Sequence, residues 1–235
     1  IYDFHKPYLN LRNLEDIKIE DLIGRKVVEV DYKEVEGFLE GTRILITGAG
    51  GSIGSEITRQ VCGFNPERVV LYDIDETALH NMEIDTRRLF PYLINKLHFI
   101  VGNILDEEKV DGIFKEFRPD IVFHSAAYKH VPMMEHNPEE AVKVNIFGTY
   151  KLVDAAVKHG VKRFILISTD KAIRPTSIMG ATKRMAEYVC KAFNEDRSQK
   201  SEVRSQNEAD CTKTEFISVR FGNVLGSRGS VLPLF

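Results

Sequence analysis

The chain has 235 residues, a hydrophobic fraction of 43% and a formal net charge of −3 at pH 7. That is enough to bury one substantial core, and it gives no general attraction for nucleic acid or an anionic membrane surface. Cys62, Cys190 and Cys211, widely spaced, fit neither a disulfide framework nor a zinc cluster, so no metal is expected and a reducing, cytoplasmic compartment is.

No apolar run reaches the roughly 18 residues of a bilayer span, so this segment is expected to make no membrane contact. The chain opens on Ile1 rather than Met and closes on Leu234-Phe235 after a glycine-rich stretch, which reads as a fragment of a longer protein. Residues 1–40 are mixed and charged, a linker or packing segment with a helix expected around Leu14–Ile23 and a strand at Val27–Val30. A domain over 41–235 follows.

From Arg43 onward, short β-branched runs alternate with longer amphipathic stretches. Strands are predicted at Arg43–Thr47, Arg68–Tyr72, Leu97–Val101, Asp120–His124, Arg163–Ser168 and Phe216–Arg220. Helices are predicted at Ile53–Cys62, Glu76–Leu89, Glu107–Phe117, Pro138–His159 and Met179–Asp196. Apolar strands separated by helices imply an α/β, doubly wound, parallel-sheet Rossmann fold. Asp196–Thr212 is polar with almost no large apolar residue, and is expected to be a mobile surface insertion.

The first strand runs into Gly48-Ala49-Gly50-Gly51-Ser52-Ile53-Gly54. Glycines at 48, 51 and 54 let a backbone approach a pyrophosphate, and the helix that follows offers its N-terminal N–H groups and positive dipole end. Asp73 ends the second strand about 20 residues further on, where a carboxylate accepts hydrogen bonds from an adenosine ribose. It would repel a 2′-phosphate, which favours NAD over NADP. Read without this context, Asp73 is equally a helix N-terminal charge beside Asp75, and the glycines a structural turn.

After the fifth strand come Ser168-Thr169-Asp170-Lys171 and Gly180-Ala181-Thr182-Lys183. With Thr47–Gly54, the run His124-Ser125-Ala126-Ala127-Tyr128-Lys129-His130-Val131-Pro132 and Arg220-Phe221-Gly222-Asn223-Val224, they make the chain resemble the extended short-chain dehydrogenase/reductases. Within these it is similar to the CapD-like polysaccharide biosynthesis group of nucleotide-sugar 4,6-dehydratases. The resemblance covers about Glu40 to the end.

The resemblance implies a UDP-N-acetylglucosamine 4,6-dehydratase, a lyase of capsule or glycan synthesis with recycled NAD and a UDP-sugar substrate. A 4-epimerase or other sugar oxidoreductase, and a non-catalytic NAD-binding sensor domain, stay open beside it. It implies that Asp170 protonates the departing C6 hydroxyl, Lys171 removes the C5 proton, Thr169 bonds the sugar at C4, and Lys183 acts on the C4 hydroxyl and the cofactor ribose. Partial burial is expected to raise the Asp170 pKa and lower that of Lys171. Alone, Asp170-Lys171 also reads as a solvated turn pair. The family's Tyr, four residues before the Lys, is here Met179, which cannot exchange a proton and is expected to fill space against nicotinamide or sugar.

Cofactor contacts are expected from Gly48, Gly51, Ser52, Ile53, Gly54, Asp73, Asn103, Ile104, Ala126, Ala127, Lys129 and Lys183, with Asn103 meeting the adenine amino group through its side-chain oxygen. Ala126 and Ala127 are equally explained by tight packing, and His130 by a surface position. Substrate contacts are expected from Lys129, Asn145, Met179, Asn223, Arg228 and Ser230, with an arginine fork from Arg220 or Arg228 suiting a diphosphate, although Arg228 reads equally as an exposed loop residue. The family's substrate-binding C-terminal part normally continues beyond Phe235, so the fragment is expected to bind NAD yet turn over little. Long members of the group carry a membrane anchor, so an inner-membrane anchor before Ile1 and a homo-oligomer are both open expectations.

Overall fold

The structure, a computed structural model, describes residues 32–203 and 214–224. The helix and strand expected at Leu14–Ile23 and Val27–Val30 lie outside the described residues. A short helix, Tyr32–Leu39, precedes six strands: β1 Arg43–Thr47, β2 Arg68–Asp73, β3 Leu97–Val101, β4 Ile121–His124, β5 Arg163–Thr169 and β6 Glu215–Phe221. They form one parallel sheet in the order β3-β2-β1-β4-β5-β6. This is the doubly wound Rossmann order, whose reversal point lies between β1 and β4.

β1 sits at the centre because Ile44, Leu45 and Ile46 are apolar on both faces, and all three are buried. The core continues through Val122, Phe164, Leu166 and Phe216 to Phe114, Leu152, Val153 and Cys190 on the covering helices. Full burial of a side chain such as Phe164 stabilises by about 1.5–3 kcal/mol. Register sets Thr47 beside His124, and Ser168 and Thr169 beside Arg220 and Phe221, so the carboxyl ends of the strands meet at one edge.

The helices Glu76–Leu89 and Glu107–Phe117 have the predicted bounds, each capped by an aspartate, Asp75 on Ala78 N–H and Asp106 on Lys109 N–H. Three expectations are corrected. β4 starts at Ile121, one residue later than expected, at the point where Asp120 closes the strand end: its N–H donates to the Arg43 carbonyl at 2.7 Å and its carboxylate accepts from the Arg43 guanidinium and backbone N–H.

The long helix over Pro138–His159 is broken into Pro138–Val142, a π-helical turn Lys143–Gly148, and Thr149–Lys158. The helix expected to end at Asp196 starts at Ile178 and continues to Val203. The polar stretch is therefore helical through 203, since Arg, Gln, Lys and Glu are good helix formers whatever their hydropathy; the rest of the expected insertion lies outside the described residues.

Candidate active site

The turn after β1 is shaped by two close approaches. Gly48 has φ +66°, and a Cβ there would lie 2.5 Å from the backbone nitrogen of Ala126, so the loop lies directly on the chain leaving β4. At Gly54 a Cβ would collide with the Gly48 carbonyl, so the helix Ser52–Cys62 is seated against the loop. The Ser125 hydroxyl ties the two together, donating to the Thr47 carbonyl at 2.7 Å. Gly51 caps the helix, which starts at Ser52 and Ile53, and the first turn of any helix carries N–H groups its own ladder does not use.

Asp73 closes the other side of this loop. Its Oδ2 accepts the Gly50 N–H at 2.7 Å and its Oδ1 accepts the Asp75 N–H at 2.9 Å. The helix cap is Asp75, whose side chain accepts the Ala78 N–H, while Asp73 is the carboxylate that bonds the loop at Gly50. A cleft of about 230 Å³ lies here, lined among others by Gly48, Gly51, Asp73, Asn103, Ile104, Ala126 and Ala127. Seven of the residues expected at a cofactor therefore meet around one cavity. A larger cavity, about 360 Å³, lies between the helices Ser52–Cys62 and Glu76–Leu89 and touches neither Asp170, Lys171 nor Lys183.

Two of the seven differ in detail from expectation. The Asn103 side-chain oxygen, expected to meet adenine, accepts the Leu105 N–H at 2.9 Å, which leaves one lone pair and the amide N–H groups for another partner. Ile104 is buried, and its side chain occupies the space a Cβ at Gly148 would need. Lys129 is exposed on the loop after β4 and does not line the cleft.

At the end of β5 a single 3-10 turn, Asp170–Ala172, presents the acid and the amine. Lys171 Nζ lies 3.1 Å from Asp170 Oδ1, and the Thr169 hydroxyl donates to the same oxygen at 3.0 Å. The expected raised pKa of Asp170 is corrected. The side chain is about half exposed, and the hydrogen bond from Lys171, reinforced by Thr169, holds the carboxyl below the usual carboxylate range. A Cβ at Gly180 would lie 2.6 Å from the Lys171 carbonyl, so this turn rests directly on the helix that carries Lys183. Lys183 is buried, and burial pushes its amine down to about 8.

Met179, expected to fill space, is buried in a small apolar cluster with Met134 and Ala141, against Val131 and Ile178. Asn145, expected at the substrate, is buried with three hydrogen bonds to the protein: Oδ1 accepts the Tyr128 N–H, while Nδ2 donates to the Tyr128 carbonyl and to Thr182 Oγ1. The wider π turn is the local backbone that carries this clasp. Asn223 contacts Lys171, and Arg228 and Ser230 lie outside the described residues.

Two residues escaped the sequence reading. His124 is fully buried at the end of β4, with Nδ1 2.7 Å from Thr47 Oγ1 and Nε2 2.9 Å from Thr149 Oγ1. Since Thr149 gives its proton to the Asn145 carbonyl, the proton of the ring sits on Nε2 and Thr47 donates to Nδ1. Burial, aided by the charge of Lys183, pushes the ring pKa down to about 3, so it is neutral. A histidine ending an apolar strand is the signal that could have marked it.

Glu187, one turn beyond Lys183, is buried and accepts from Ser168, Arg220 and Arg184. Burial alone would raise its pKa, but the hydrogen bonds from Arg220 and Ser168 outweigh it and the pKa falls. Arg220, expected as a diphosphate fork, is committed to this carboxylate.

Residues 44–235 match the family described as polysaccharide biosynthesis protein. The capsular polysaccharide biosynthesis protein CapD of Staphylococcus aureus is 42% identical over 237 residues, 100% of this chain and 37% of that protein. A UDP-N-acetylglucosamine 4,6-dehydratase (inverting) of Campylobacter jejuni is 37% identical over 196 residues, 83% of this chain and 53% of that protein. Among solved structures, Pen from Bacillus thuringiensis gives a TM-score of 0.72 at 36% identity, covering 84% of this chain and 57% of that one. The chain thus spans between about a third and somewhat over half of the length of these relatives. With a family match over nearly the whole parallel sheet and both motif-bearing edges, the chain belongs to the polysaccharide biosynthesis protein family.

Proposed function

We propose that this chain is the dinucleotide-binding and acid–base part of a UDP-N-acetylglucosamine 4,6-dehydratase that uses NAD. The observation that carries the reading is the seating of the Asp170–Ala172 turn on Gly180, which sets the backbone that bears Asp170 and Lys171 directly against the helix of Lys183. The likeness to the Campylobacter jejuni dehydratase supports it.

The residues around the cleft fit a dinucleotide. Gly48 and Gly54 keep the loop free of side chains, Ser52 and Ile53 start a helix facing a pyrophosphate, and Asp73 retains lone pairs for ribose hydroxyls after accepting two N–H groups. Bound there, NAD would supply the acceptor for hydride from C4 and return that hydride at C6. Lys183 would polarise the C4 hydroxyl and hold the adjoining ribose, and Thr169 would hydrogen-bond the sugar at C4.

Elimination then needs one proton taken from C5 and one given to the C6 oxygen, which leaves as water. Lys171 takes the first and Asp170 gives the second. Lys171 later returns a proton to C5, and the proton released from the C4 hydroxyl restores Asp170, so the cycle is balanced. The arrangement found here, with the Asp170 carboxyl held below its usual range by the contact with Lys171, corresponds to the acid after it has given up its proton. Arming it requires desolvation, which favours the neutral forms of both groups.

The test is mass spectrometry of UDP-N-acetylglucosamine incubated with NAD⁺ and the intact protein. Loss of one water from the sugar nucleotide is expected. An unchanged mass with a C4 epimer among the products would replace the dehydratase with an epimerase, and an untouched substrate alongside measurable NAD binding would favour a sensor domain.

A further inference from the structure

The Asn223 side-chain oxygen accepts from Lys171 Nζ at 2.9 Å, while the same amine gives to Asp170 Oδ1 at 3.1 Å. The contact follows from the sheet. Thr169 and Phe221 are partners in the parallel register of β5 and β6, so the Asp170–Ala172 turn and residues 222–223 leave the sheet side by side. Gly222 lies against the same turn: a Cβ there would stand 3.4 Å from Asp170 Oδ2, an ordinary contact distance.

A lysine ammonium on its flexible four-carbon stem has no preferred direction of its own. Two acceptors, one in the turn after β5 and one just past the end of β6, give it one. The choice of an amide matters too: a second carboxylate would hold the amine protonated, whereas a neutral oxygen orients it with a smaller bias toward the charged form.

We propose that Asn223 is a positioning residue for Lys171, holding its amine beside Asp170 so that proton acceptor and proton donor stand over adjacent carbons of the sugar. This rests on the reading of Asp170-Lys171 as an acid–base pair. It differs from a direct substrate contact by Asn223, and the two can be told apart.

The experiment compares the intact protein with its Asn223→Ala and Asn223→Asp variants in two measurements. One is the pH dependence of Lys171 labelling by an amine-reactive reagent, read by peptide mass spectrometry. The other is kcat and KM for water loss from UDP-N-acetylglucosamine with NAD⁺. The labelling midpoint should rise in the order Ala, Asn, Asp, because a neutral and then a charged acceptor progressively favour the ammonium. Asn223→Ala should lose about tenfold or more in kcat with little change in KM, while Asn223→Asp shifts the pH profile upward.

Identical Lys171 midpoints in all three proteins would overturn the proposal. So would an Asn223→Ala variant that raises KM and leaves kcat alone, the pattern of a substrate contact. If the unaltered protein releases no water from the sugar nucleotide, the dehydratase reading fails on its own, and the Lys171 midpoints still decide the contact.

Discussion

Glu187 and Arg220 meet through two hydrogen bonds, 2.8 Å from Nε to Oε1 and 2.6 Å from the terminal nitrogen to Oε2, joining the helix of Lys183 to β6. Ser168, on β5, gives a third to the same carboxylate at 2.6 Å. One buried acid therefore holds together the strand that ends in the Asp170 turn, the strand that leads to Asn223, and the helix between them.

Removing that acid leaves Ser168, Arg220 and Arg184 without their shared acceptor. Glu187→Ala should lower Tm by about 5–10 °C, a loss in the range of other broken buried networks, and Glu187→Gln should lower it less. Because the folded pKa of Glu187 is depressed, its contribution is complete above the ordinary glutamate range and fades as pH falls through the folded value. Thermal unfolding of both variants at pH 7 and pH 4 checks this, and the difference from the unaltered protein should shrink at pH 4.

His124 makes a second acid-side prediction. Its folded pKa of about 3 lies far below the ordinary value of 6.5, so the unfolded chain binds the extra proton between those limits. Stability should therefore fall with decreasing pH across this window, by about 1.4 kcal/mol per unit from this residue once pH is well below 6.5. His124→Gln carries one acceptor and one donor but no titrating ring. It should be less stable at pH 7 and show a flatter dependence between pH 6 and 4 in urea unfolding; an unchanged slope would show that His124 is not the group responsible.

Lys183 predicts opposite effects on stability and activity. Its amine is buried at a cost, with a folded pKa of about 8 against 10.5, so stability should increase as pH rises from 8 to 10.5 while the folded state sheds the charge first. Lys183→Met removes that buried charge and should raise stability near neutral pH by about 2–3 kcal/mol, as hydrophobic replacements of buried charges often do. Turnover should be lost. Calorimetry beside the mass-spectrometric assay reads both, and a less stable Lys183→Met protein would contradict the burial argument.

Asp73 tests the cleft. Asp73→Ala removes the acceptor of the Gly50 and Asp75 N–H groups as well as the negative charge, so NAD should bind about tenfold or more weakly. Relative affinity for NADP should improve, because the repulsion of its 2′-phosphate is gone. Titration calorimetry with both nucleotides decides it.

Six strands, their parallel arrangement and the glycine loop were legible in the chain itself, because each depends on local pattern: β-branched runs such as Ile44-Leu45-Ile46, and glycines where a side chain would collide. The association of Asp170-Lys171 with the Lys183 helix could be expected from the same motifs, though local sequence did not set their distances. Polar composition misled at 196–203, where helix propensity prevailed over low hydropathy.

What only the tertiary structure decided is how each polar group is used. Nothing local distinguishes Asn145 as a clasp on Tyr128 from Asn145 as a sugar ligand, or Arg220 as the partner of Glu187 from Arg220 as a diphosphate fork. Their partners lie 17 and 33 residues away along the chain and are brought within reach only by the packing of helices on the sheet. The ionisation of Asp170, His124 and Lys183 follows from that packing as well, because burial and neighbouring charge are properties of the assembled site, whereas the sequence supplies only the groups that can titrate.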